Sequence, residues 1–133
     1  MKIVHIILKG IFCLIMAMPI LGATGVFPPP TPDLYNTAEA FAFIESLTIA
    51  SYITYLMAGV FVVCIALIIM GRTALASILA LPITVNVVAF HLFLDGGLLT
   101  GGASLGNLLL AINVYFIWAN RKQYMKLLDK SVV

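Results

Sequence analysis

Thr84, Asn86 and His91 lie along one apolar run of the chain, and Asn107 and Asn113 along the next. Polar side chains in an apolar medium must find a protein partner, a ligand or water, so these are the positions where chemistry is expected. His91 is the most versatile of them. A neutral imidazole donates through one ring nitrogen and accepts through the other, and its charge changes near neutral pH.

If the two runs are antiparallel helices, His91 stands level with Asn107, and Asn86 with Asn113. The intervals agree, at about 7.5 Å from His91 to Asn86 and about 9 Å from Asn107 to Asn113 for a rise of ~1.5 Å per residue. Around their own helix Asn86 and His91 are about 140° apart at ~100° per residue, so they need not share one site.

Two readings follow. In one, the amides and the imidazole only tie helices together, each bond contributing on the order of 0.6–2 kcal/mol. In the other, Glu45, Tyr55, His91 and Asn107 surround a pocket in which the imidazole meets the carbonyl or hydroxyl of a quinone. No metal centre is indicated, because a lone intramembrane histidine with no carboxylate read at ligand spacing is a poor donor set. Cys13 and Cys64 sit singly in separate runs and read as small packing residues, and His5 as an interfacial one. No nucleophile–base arrangement appears, and Gly96, Gly97, Gly101 and Gly102 neither follow a strand nor hold a lysine, so they read as a flexible loop rather than a phosphate cradle.

The elements that position these residues follow from composition. Of 133 residues, 63% are hydrophobic and 9% charged, against roughly a quarter charged in a soluble domain. A soluble fold could not hide that much apolar surface, so the chain reads as an all-α integral membrane bundle. At about 20 residues per crossing there is room for four or five helices. The net charge of +2 offers no footprint for nucleic acid.

The pattern predicts a single domain over 1–133 with four transmembrane helices at about 3–21, 52–70, 73–94 and 105–118. Residues 1–24 also have the layout of a secretory signal, with Lys2 and Lys9, an apolar stretch and small residues at Gly22, Ala23 and Thr24. They are expected to be retained as the first helix. Pro28, Pro29, Pro30 and Pro32 forbid helix in the segment that follows and predict a stiff connector outside the hydrocarbon layer. Residues 36–47, with Phe41, Ile44 and Leu47 at helical spacing, are either a short interfacial helix or the first turns of helix two. Gly71 and Arg72 form a tight turn, Pro82 lies inside helix three, and an amphipathic tail follows Trp118.

Orientation follows from Lys2, Lys9, Arg72, Arg121, Lys122, Lys126 and Lys130, which all fall on the side of both termini and the 71–72 turn. The positive-inside rule then makes that side cytoplasmic and puts Asp33, Glu39, Glu45 and Asp95 outside.

The segments Arg72–Ala76, Leu81–Asn86, Phe90–Leu94 and Tyr115–Arg121, together with Tyr124, Lys9 before Gly10-Ile11-Phe12, and the aromatic, proline-rich exit at 26–32, resemble the DoxX family of small four-helix membrane proteins. The resemblance covers nearly the whole chain, and its most specific part is the spacing of Pro82, Asn86 and His91. It implies a bacterial inner-membrane protein associated with redox enzymes, the name-giving members being linked to a thiosulfate:quinone oxidoreductase. Relatives often carry an acidic residue midway along helix two, where this chain has the apolar Gly59-Val60-Phe61-Val62-Val63. That loss argues against proton-coupled chemistry. The expected role is a non-catalytic accessory subunit, packed in the lipid bilayer against a larger electron-transfer complex. The alternatives are a quinone-binding oxidoreductase component and a small-solute carrier, the latter disfavoured by the lack of buried charge and of any repeat.

Overall fold

The computed structural model describes residues 2–128, and every regular element in them is helical. The first long helix, α1 (Lys2–Ala23), is followed by the proline-rich connector and one 3-10 turn at Pro32–Leu34. Then come α2 (Ala38–Ala50), α3 (Tyr52–Ile69), α4 (Thr73–Phe93), α5 (Ala103–Ala119) and α6 (Arg121–Leu128). Three of these, α1, α3 and α4, are long and apolar enough to cross a membrane, whereas α5 is apolar but has only 17 residues. Lys130, used above for orientation, lies outside the described residues.

Of residues 36–47, those from Ala38 on belong to a helix distinct from the one that follows. Thr37 caps α2 by accepting from the amide of Ala40 at 3.1 Å, which satisfies one of the orphan amides of the first turn. Its end is set by Ser51, the only non-glycine residue at positive φ (50°) among the described residues. That conformation breaks the helical path, and α3 restarts at Tyr52.

The turn between α3 and α4 closes as a Schellman motif. Gly71 takes φ +79°, its amide bonds the carbonyl of Ile68 at 3.0 Å, and the Arg72 amide bonds that of Leu67 at 2.7 Å. Glycine suits this position because the left-handed conformation costs it nothing. So short a turn forces α4 back along α3.

Packing closes a ring: α1 lies against α3 and α5, α3 against α4, and α4 against α5. Phe12, Met16, Phe61, Cys64, Ala76, Ala80, Ile112 and Phe116 fill its centre, with Phe12 and Phe116 edge to face at 5.7 Å. The outer faces are as apolar as the core, and Leu14 (67%), Ile69 (79%) and Phe93 (79%) stand exposed. Aqueous solvent would penalise such a surface at about 25 cal/mol per Å², so a bilayer is its natural surrounding.

One end of the ring carries the basic residues and is tied by two tyrosines. Tyr115 of α5 meets Nδ1 of His5 at 3.2 Å, and Tyr124 of α6 donates to the carbonyl of Ala74 at 2.7 Å. The other end carries the proline-rich connector and the loop at 94–102.

Candidate functional site

Asp95 stands four residues beyond His91, one helical turn on, so the two side chains emerge on the same side at the end of α4. Asp95 Oδ2 lies 2.8 Å from His91 Nδ1, and the carboxylate is 2% exposed. Its other oxygen accepts from the Asn36 backbone amide at 2.8 Å and from Asn36 Nδ2 at 3.3 Å, and Asn36 Nδ2 also reaches the Asp95 carbonyl at 3.2 Å. The Thr37 hydroxyl donates to the carbonyl of Leu94. The stretch that starts α2 is thereby stapled to the end of α4.

Glycines make this closeness possible. Gly96 adopts φ +83°, and a Cβ there would lie 3.3 Å from the Cβ of Asn36. At Gly102, the N-cap of α5, a Cβ would come within 3.4 Å of His91 Cε1 and 3.6 Å of Asp95 Oδ2. The imidazole therefore rests against two glycines, Gly102 before α5 and Gly106 in its first turn, where a Cβ would fall 3.6 Å from His91 Cδ2, and Phe90 lies edge-on to it at 5.0 Å.

Burial pushes the Asp95 carboxyl upward, but the hydrogen bonds from the Asn36 amide, from His91 and from the Asn36 side chain outweigh it and hold the group below the usual carboxylate range. An ionised Asp95 requires Nδ1 to carry the proton, which leaves Nε2 as the acceptor of a neutral imidazole. Tyr35, whose ring packs on Phe90 at 6.4 Å, is raised first by burial and then by the nearby Asp95 charge.

Comparison of the chain with protein-family models, with curated proteins and with solved structures yields no match. The site is therefore read from its own geometry.

The residues singled out in the sequence are not gathered in one place. His91 pairs with Asp95 rather than with Asn107, whose Nδ2 instead donates to the carbonyl of Leu98 at 2.7 Å and ties the 94–102 loop to α5. Asn113 is fully buried and pairs with Thr84 rather than with Asn86. With its amide turned to satisfy both ends, its nitrogen donates to the Ser77 carbonyl at 3.0 Å and its oxygen accepts from the Thr84 hydroxyl at 2.9 Å. This knot joins α5 to α4 in the middle of the apolar core, where an unpaired amide would cost several kcal/mol. Asn86 faces outward, and Glu45 is exposed on α2.

Tyr55 lines a cavity of about 710 Å³ beneath the prolines, with Pro29, Tyr35, Leu47, Ser51 and Thr54. His91, Glu45 and Asn107 do not line it. Asp95 is the residue that sequence reading missed, having been assigned to the loop. The signal was present in its i, i+4 spacing from His91.

Proposed function

We propose that the protein is a four-span, DoxX-like subunit of a bacterial inner membrane, with both termini cytoplasmic, acting as a non-catalytic accessory to a larger membrane redox complex. The observation that carries the reading is the occupation of the imidazole. Nδ1 is held by Asp95, the ring edge is packed on α5, and the whole cluster staples α2 to α4. A group spent on holding helices together is poorly placed to turn over substrate. The apolar outer faces supply area for a membrane partner, and the apolar, 17-residue α5 is read as the fourth crossing.

Orientation is tested with impermeant thiol reagents on intact cells. A cysteine at Asp33 should label from outside while one at Lys126 should not, and the reverse pattern would overturn the topology.

A second reading rests on the cavity beneath the prolines, whose volume of about 710 Å³ lies within the usual range for small-molecule sites. Tyr35 and Tyr55 give it hydroxyls that suit a quinone carbonyl.

His91→Gln and His91→Leu test the staple, and Tyr55→Phe, which removes a hydroxyl from the cavity lining, tests the second reading. Gln retains an N–H for Asp95 and should cost within ~1 kcal/mol, whereas Leu leaves Asp95 Oδ2 without a donor and should cost about 1–3 kcal/mol. On the accessory reading, a partner redox enzyme co-purifies with wild type and with His91→Gln at the same ratio, and purified wild type binds no quinone. Quinone binding by purified wild type that is lost in a folded Tyr55→Phe would sink the accessory reading.

A further inference from the structure

Asn86 is exposed on α4, and no hydrogen bond among the described residues involves its side chain. It lies 13 residues from the start of a 21-residue apolar helix, about 10 Å below the end that bears Phe93 at ~1.5 Å per residue. An amide facing hydrocarbon at that depth costs free energy until something hydrogen-bonds it. Something must therefore cover it.

Its neighbours on the helix show the shape of the cover. Leu75, Leu79, Pro82, Asn86, Ala89 and Phe93 are spaced alternately four and three residues apart, the repeat that keeps one seam turned toward a partner helix. All of them are exposed except Ala89, which is half-buried. None belongs to the buried core of the ring. Leu79 also borders a shallow apolar groove with Leu56 and Gly59 of α3, and a Cβ added at Gly59 would meet nothing within 4 Å. A second helix thus has both a ridge to follow and space beside it.

We infer that this seam is the interface of a parallel homodimer in which Asn86 pairs with Asn86 of a second copy across a two-fold axis along the membrane normal. Copies of one multi-pass chain enter the bilayer in a single orientation. The α4 helices of two copies therefore run parallel, and a residue near the axis meets its own equivalent at its own depth. A primary amide is the side chain suited to this, because it donates and accepts at once and is its own complement. A single asparagine in an otherwise apolar seam also fixes register, since any axial slip leaves both amides unpaired. Ala89, one turn on, allows close approach of the backbones near the crossing. The inference needs only that α4 spans the membrane and is independent of the redox assignment.

The test uses the full chain, labelled with donor or acceptor fluorophore and reconstituted in phosphatidylethanolamine–phosphatidylglycerol vesicles over a range of lipid dilutions. Wild type should show a monomer–dimer equilibrium, Asn86→Leu should weaken it by about 3- to 30-fold, and Asn86→Gln should restore most of the loss. The thermal stability of the monomer should not fall in Asn86→Leu, which distinguishes loss of an interface from loss of fold. In a background of Cys13→Ala and Cys64→Ala, oxidative cross-linking should trap Asn86→Cys as a dimer but not Leu14→Cys, which lies at similar depth on the exposed face of α1. A wild-type protein that stays monomeric at every dilution, an undiminished dimer in Asn86→Leu, or cross-linking of Asn86→Cys no faster than of Leu14→Cys would each overturn the inference.

Discussion

Replacing Asp95 with Ala should destabilise the bundle by about 2–4 kcal/mol and open the proline-rich end to protease before the rest of the chain unfolds. The carboxylate accepts from three donors on two segments, the Asn36 amide, the Asn36 side chain and His91 Nδ1. Ala leaves the Asn36 amide and His91 Nδ1 without their acceptor, while the Asn36 side chain keeps only the carbonyl of residue 95. Water can reach Asn36, which is exposed, but not readily His91, whose side chain is 13% exposed, so the cost falls mostly on the imidazole. Asp95→Asn should be milder, about 1 kcal/mol, because its oxygen still accepts from the Asn36 amide and its nitrogen can donate to Nδ1 once the imidazole proton moves to Nε2.

The same residue sets an acid limit. Its folded pKa is depressed below the ordinary 3.8, so the folded state binds its proton less readily than the unfolded chain does. The stability this group contributes is fully present above the unfolded pKa and is lost as pH falls through the folded one. Thermal unfolding in detergent between pH 7 and pH 3 should therefore show an Asp95-dependent loss only below about pH 4. Asp95→Asn should abolish that part of the profile. An unchanged acid limb in Asp95→Asn, or an Asp95→Ala protein as stable as wild type, would show that the cluster does not hold α2 in place.

The positions of the long helices were legible in the sequence because each is set by local features: α1, α3 and α4 are long, predominantly apolar runs, punctuated by the prolines after Thr24 and by Gly71. The break at Ser51 was not legible. Serine carries no strong stop signal, and its φ of 50° is imposed by the placement of α2 and α3 rather than by the residue. The polar pairings were misjudged for a different reason. Depth matching correctly placed His91 near α5 and Asn113 near the middle of the bundle, but depth says nothing about azimuth. Thr84, about two helical turns below His91 and buried, is what Asn113 meets, while Asn86, two residues further, has turned about 200° away at ~100° per residue and faces outward. The Asn36–Asp95 contact spans 59 residues, and no periodicity records a contact of that range.

Gly106→Leu should be the most damaging single change on α5, costing about 2–4 kcal/mol, because even its first carbon has no room. A Cβ at Gly106 would fall 2.9 Å from Cγ1 of Val87 and 3.6 Å from Cδ2 of His91. The valine cannot easily swing away, since a β-branched side chain in a helix has one strongly preferred rotamer. The strain must then be met by parting α4 from α5 or by pushing the imidazole off Asp95, and either loosens the staple at the proline-rich end. Gly106→Ala brings only the first carbon, and its gain in helix propensity of up to about 1 kcal/mol offsets part of the clash. Its net effect should be a loss of about 1 kcal/mol or less. Gly59→Ala is the control, for it gains the same propensity in mid-helix and meets no atom within 4 Å. Because the bulk at Gly106 acts through His91, its cost should shrink when the staple is already weakened, so that Gly106→Leu combined with Asp95→Ala loses less than the sum of the two. The check is thermal unfolding in detergent of the four single variants and the double. Strict additivity would mean that Gly106 matters only for the contact with Val87, and a Gly106→Leu protein as stable as Gly59→Ala would show that α4 and α5 do not approach each other at this glycine.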